Sequence, residues 1–144
     1  QLINSYKNNI NKIKERKIFF SPRVYFEEWD DPLISGIGWV SELIKIAGGV
    51  DVFSELSLKK SAKERFVNSE MVIAAKPDII IASWCGKKVN KDKITSRKGW
   101  GKIPAVANNK IYEIKSSIIL QPGPACLTDG LSNIVKIIDE FSNE

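Results

Sequence analysis

A chain of 144 residues, 43% hydrophobic and 27% charged, can bury one core but is too short for two full domains. It has no histidine and only two cysteines, Cys85 and Cys126, at a spacing that matches no metal motif, which excludes the usual zinc, haem-ligating and histidine-dependent hydrolase sites. The formal charge of +5 leaves a nucleic acid or an anionic membrane to be weighed, yet much of the excess lies in residues 87–102, a run expected to be a solvated loop and short helix.

Residues 2–16 carry Leu2, Ile3, Tyr6, Ile10 and Ile13 with Lys and Asn between them, a narrow helical stripe that lies against a core on one side only. No stretch approaches the roughly 20 apolar residues of a membrane span. Neither a start Met nor a charged-then-apolar leader stands at Gln1, so a chain lacking its natural beginning is expected.

After Ser21-Pro22, Arg23-Val24-Tyr25-Phe26 predicts a short strand ending in Glu27, Glu28, Trp29, Asp30, Asp31 and Pro32. A helix is expected from about Gly36 to Ala47, with Trp39, Val40, Leu43 and Ile44 on one face and Gly48-Gly49 as its stop. Val50 to Phe53 suggests a brief strand, and residues 57–65 are too polar for anything but an exposed connection. A short helix from Ser69 to Ala75, capped by Asn68 or Ser69, ends at Lys76-Pro77.

Ile79-Ile80-Ile81-Ala82 is the continuous β-branched run of a strand covered on both faces. The basic stretch leads through Trp100 and Ile103-Pro104 to an Asn108-Asn109 turn and a strand over residues 110–114. Residues 116–124 are expected as a loop. The closing helix, about 125–141, aligns Leu127, Leu131, Ile134, Val135, Ile138 and Phe141. Strands alternating with helices predict an α/β fold with a doubly wound, mostly parallel, Rossmann-like sheet. The ligand edge of such a sheet lies beyond the carboxyl ends of its strands, which singles out residues 27–35, 83–88 and 116–125.

Two other function classes find little support in the sequence. Gly36-Ile37-Gly38 begins like a dinucleotide fingerprint, but the third Gly is missing and nine residues part it from its strand. No P-loop and no nucleophile–base pair accompanies it, so an enzyme is not expected. Residues 87–102 with Trp100 lack the aromatic platform of a nucleic-acid surface.

Residues 23–33 followed by 39–49 resemble periplasmic cobalamin-binding proteins. So do Lys76-Pro77-Asp78 through Cys85-Gly86, residues 99–114 with their tryptophan turn, and residues 118–125 with Leu127-Thr128-Asp129-Gly130-Leu131. The similarity spans nearly all of residues 21–141, in order. The chain is thus identified as resembling the class III substrate-binding proteins of cobalamin and iron-siderophore ABC importers. That resemblance implies two α/β lobes joined by one long helix with ligand between them. Residues 1–20 would be the end of the connecting helix and residues 21–144 the C-terminal lobe, with the N-terminal lobe not included.

The resemblance also implies capture of a corrinoid, most simply cobalamin, or else a ferric siderophore or haem, with no resident cofactor and no protein metal ligands. The partners would be the permease subunits of the importer, at the periplasmic or extracellular face. Contact with the membrane would come only through the permease or a lipid anchor.

Trp29, beside Glu27, Glu28 and Asp30, would offer a flat face and acceptors to a corrin ring fringed with amide donors; the alternative is an acidic turn with a packing Trp. Trp84 and Cys85 follow the strand covered on both faces and serve either ligand or packing. Gln121, Pro122 and Gly123 would furnish an amide and a stiff backbone at the same rim, or an ordinary turn. Arg65 and Phe66 fall in a region that resembles a ligand-contacting loop. Glu70 matches the exposed acid that such lobes present to permease arginines, although Ser69 and Glu70 also suit the cap and dipole of a helix start. A Cys85–Cys126 disulfide is geometrically possible if both lie near the ligand edge.

Overall fold

Four consecutive residues, Ile79 to Ala82, have no solvent exposure, and this run is an interior strand of the sheet, covered on both faces. The computed structural model describes residues 2–18, 20–121 and 123–143. Helix α1 (Leu2–Glu15) leads to strand β1 (Arg23–Asp30), the short β2 (Leu33–Ser35) and helix α2 (Gly38–Ala47). Strand β3 (Val50–Asp51), one-turn α3 (Ser54–Ser57), β4 (Phe66–Val67), α4 (Ser69–Ala75) and β5 (Ile79–Ala82) follow. The remainder comprises α5 (Lys91–Thr95), α6 (Pro104–Ala107), β6 (Ile111–Glu113), α7 (Ser116–Ile119) and α8 (Leu131–Ser142). A π-helical stretch, Cys126–Gly130, runs directly into α8.

The sheet has the order β4-β2-β1-β5-β6, with β3 also beside β1. Strands β1, β5 and β6 are mutually parallel, Val24 facing Ile79 and Ile80 facing Ile111, and β3 is parallel to the start of β1. Strands β2 and β4 add an antiparallel edge, with a register irregularity in β1 between Glu27 and Trp29. The α/β class and mostly parallel sheet agree with the sequence reading.

Side-chain alternation divides the core in two. Val24, Phe26, Ile79 and Ile81 point to one face, where they meet Leu43 and Ile44 of α2 and Ile134 and Ile138 of α8. Tyr25, Ile80 and Ala82 point to the other, against Val72 of α4, Ile94 of α5, Trp100, Ile103 and Ala105. Ile10 and Ile13 of α1 pack against the first cluster. Arg16 fixes the end of that helix, with Nε 2.9 Å from Asp139 Oδ1 and Nη2 donating to the Ala47 carbonyl.

Several boundaries differ from expectation. Strand β1 continues through the acidic residues to Asp30, because β2 pairs with that extension and counter-ions meet its carboxylates. Residues 57–65 are not simply an exposed connection: a 3-10 turn occupies Ala62–Arg65, and Arg65 is buried. Residues 104–107 are helical, and the expected loop after β6 contains α7. Asn68 alone caps α4, its side chain accepting the Met71 N–H at 2.9 Å. The hydroxyl of Ser69 instead accepts the Trp100 indole N–H at 3.0 Å.

Candidate functional site

In β1 the apolar run Val24–Phe26 is followed by Glu27, which is fully buried although charged. Three side chains converge on its carboxylate: Tyr25 Oη donates at 3.0 Å, Trp84 Nε1 at 2.8 Å, and the Arg97 guanidinium binds both oxygens at 2.6 and 3.1 Å. A buried charge is tolerable when its hydrogen-bonding capacity is filled in this way. Burial, reinforced by the neighbouring Glu27 charge, pushes the Tyr25 phenol well above its ordinary pKa, keeping it a neutral donor.

Asp30 is the second buried acid of the strand. Lys87 Nζ lies 2.8 Å from one of its oxygens and Lys93 Nζ 2.6 Å from the other. Burial pushes this carboxyl upward, but hydrogen bonds from the two ammonium groups outweigh it and bring the pKa down to about 2. The same lysines lie over aromatic rings: Lys87 Nζ is 4.4 Å from the Trp29 centroid and 5.0 Å from that of Trp84, and Lys93 is 5.8 Å from Trp84. Arg97 stacks over Trp100 at 4.5 Å.

The basic run is therefore not merely a solvated loop. Its Lys87, Lys93 and Arg97 fold back over the acidic end of β1. Sequence reasoning missed these three as counter-ions, although the signal was present: acids concentrated in residues 27–31 and bases in residues 87–102 are a complementary pair.

Arg65 also faces inward. Its Nη1 donates to Glu28 Oε2 at 2.5 Å and to the Ser35 carbonyl at 2.6 Å, while Ser35 Oγ donates to the Arg65 carbonyl at 3.1 Å. Arg65 thus bolts the 3-10 turn to β2, and its neighbour Phe66 is the exposed member of the pair. Of the residues expected at the ligand edge, Glu27, Asp30, Arg65 and Trp84 are turned into the protein and committed to internal partners. Trp29 is half-buried and steadied by a 3.1 Å bond from its indole N–H to the Asp31 carbonyl.

A cleft of about 490 Å³ opens where β5 and β6 end. Trp84 and Ile114 form its apolar floor, and Lys87, Lys88, Glu113, Lys115, Ser116 and Ser117 its polar sides. Gly86 N–H donates to Ser116 Oγ at 3.3 Å and Val89 N–H to Glu113 Oε2 at 2.9 Å, tying the loops after β5 and β6 together. Gln121 and Gly123 are exposed on the following segment; Pro122 lies outside the described residues. Both thiols are free: Cys85 is exposed and Cys126 buried, its Sγ 3.7 Å from the Ile119 carbonyl, so the disulfide that the sequence left open is not formed. Glu70 stands exposed in the first turn of α4.

A family model described as "Periplasmic binding protein" matches residues 1–118. The chain belongs to the periplasmic binding protein family. Among curated members it is 24% identical over 123 residues to a vitamin B12-binding protein of Vibrio parahaemolyticus, covering 84% of this chain and 41% of that one. Among solved structures of this fold, a possible iron-binding periplasmic protein of Staphylococcus epidermidis superposes with a TM-score of 0.78 at 24% identity, over 95% of this chain and 53% of that one. The periplasmic heme-binding protein RhuT of Roseiflexus sp. RS-1 does so with 0.72 at 21%, over 95% and 55%. The chain thus spans about half the length of these periplasmic binding proteins. No helix among its described residues is long and apolar enough to cross a membrane.

Proposed function

We propose that this chain is the C-terminal lobe, preceded by the end of the inter-lobe helix, of an extracytoplasmic substrate-binding protein that delivers a corrinoid or another metal chelate to an ABC importer. The observation that carries this reading is the open end of the parallel sheet in a periplasmic binding protein. There Trp29 is held half-exposed next to a cleft whose walls are tied by hydrogen bonds. A preformed concave surface with an apolar floor and a few placed polar groups suits capture of a small molecule. Binding, lobe closure and release on the permease need no covalent step, so the proposed role is not enzymatic.

A half-exposed Trp29 at this edge suits the rim of a large ring such as a corrin, and a curated relative is named a vitamin B12-binding protein. Ferric siderophore and haem are the second reading, favoured by the iron- and heme-binding names among the structural relatives. Calorimetric titration of the full-length protein with cyanocobalamin, cobinamide and a ferric siderophore separates them. Binding of any one supports chelate capture and identifies the class; binding of none of these and no haem overturns it.

Glu70 is the docking acid in this scheme. It is exposed and it is not the cap of α4, which Asn68 supplies, so it is free to meet a permease cation. Glu70→Ala should leave ligand Kd unchanged while reducing uptake or permease-stimulated ATP hydrolysis about tenfold, the usual scale for a charge pair at an interface. Wild-type transport by the variant would remove Glu70 from the docking surface.

A further inference from the structure

The cleft between the ends of β5 and β6 carries more positive charge than the fold itself uses. Three lysines line it, Lys87, Lys88 and Lys115, against a single carboxylate, Glu113. Lys87 is engaged by Asp30, but Asp30 also holds Lys93, so one carboxylate faces two ammonium groups and that trio keeps a net charge of +1. Lys88 and Lys115 are exposed and enter no ion pair among the described residues. Glu113 does not neutralise them by hydrogen bonding; its Oε2 is drawn aside to accept the Val89 N–H.

Hydroxyls stand beside these charges. Ser116 Oγ already accepts from Gly86 N–H, which leaves its own O–H to donate outward, and Ser117 lies on the same wall. Donors and cations aimed into an apolar-floored cleft of about 490 Å³ match a ligand that brings acceptor oxygens with negative charge. A neutral corrinoid fringed with amide donors would leave this charge unmatched.

We infer that this cleft selects an anionic, carboxylate-bearing metal chelate, with Lys88 and Lys115 as its charge-reading residues. The inference rests on the chelate-capture reading above and narrows its ligand class. Because these lysines are exposed, their contribution is long-range attraction that salt screens within about 10 Å.

The test is titration of the full-length protein with haemin and ferric citrate, both carboxylate-bearing, and with cyanocobalamin, which has no net charge, at low and high potassium chloride. At least one anionic chelate should bind ten or more times tighter than cyanocobalamin, and its affinity should fall about tenfold from low to high salt. The double variant Lys88→Gln/Lys115→Gln should lose about tenfold for the anionic chelate. Lys88→Arg/Lys115→Arg should keep it within about twofold, since charge is retained. Both positions are exposed, so unchanged thermal unfolding will show that the fold is intact. Cyanocobalamin binding as tightly as the anions, or an unchanged anion affinity in the glutamine variant, overturns the inference and leaves chelate capture standing. Binding of no chelate overturns both.

Discussion

At Glu27 and Asp30 the protein keeps two carboxylates out of water, and the neighbours that allow this set different costs for removing them. The Glu27 carboxylate is fully buried and doubly bound by Arg97. Arg97→Ala would strand it, and breaking such a pair from one side costs about 3–5 kcal/mol. Urea unfolding of the variant should show a loss of that size; a change below about 1 kcal/mol would mean the pair is not held as described. Arg97→Lys should lie between, because an ammonium cannot bind both oxygens and stack on Trp100 alike.

For Asp30 the consequence is a pH dependence. Its pKa falls from the ordinary 3.8 to about 2 on folding, so the unfolded chain takes up its proton first as acid is added. The stabilisation is complete above about pH 5 and is lost as pH falls toward 2. The shift corresponds to about 2 kcal/mol unscreened, and the partly solvated lysines reduce it to about 1 kcal/mol. Asp30→Asn should therefore destabilise the protein at pH 7 but not at pH 2, read as the difference in unfolding midpoint between variant and parent. An equal difference at both pH values would contradict the linkage.

Helix and strand starts show what local chemistry can specify and where it stops. The run Ile79 to Ala82 and the apolar faces of α2 and α8 were legible because burial on one or two faces imposes a period on the sequence. Strands β2 and β4, of three and two residues, carry no such period; partner strands define them. In sequence the acids after Phe26 predict the end of β1, since charge ordinarily ends a strand, and only a distant basic segment makes the extension to Asp30 tolerable. For the site, topology singles out the carboxyl ends of the strands, where the cleft between β5 and β6 opens, whereas the inward orientation of Arg65 and Trp84 depends on long-range partners. The cleft lysines drew no notice as site residues because, in sequence, they are two more members of a basic run and a strand end.

One element boundary makes a direct prediction. Gly48 ends α2 with φ +100°, and an added Cβ would stand 1.9 Å from Ile18 Cδ1. Both the left-handed backbone and the contact oppose any side chain. Gly48→Ala should cost about 1–2 kcal/mol, measured by chemical denaturation. A neutral result would show that the segment containing Ile18 moves aside freely.

Across the whole molecule, two apolar layers clasp one sheet, and α1 joins only the first of them. Its seat is narrow: Ile10 and Ile13 touch the core, and Arg16 clasps Asp139 and the Ala47 carbonyl, while Ile3 is exposed. Arg16→Ala should speed hydrogen exchange in α1 at least tenfold while leaving β1 and β5 protected. Equal loosening of helix and sheet would mean that α1 is integral to the core.

Those few contacts make α1 a lever. It is 14 residues long, about 21 Å, and its fulcrum is the Arg16 end. A tilt of about 5° there sweeps the opposite tip through nearly 2 Å, a large travel for a small rotation at a single guanidinium, and torque applied to the tip returns along the same arm to α2 and α8.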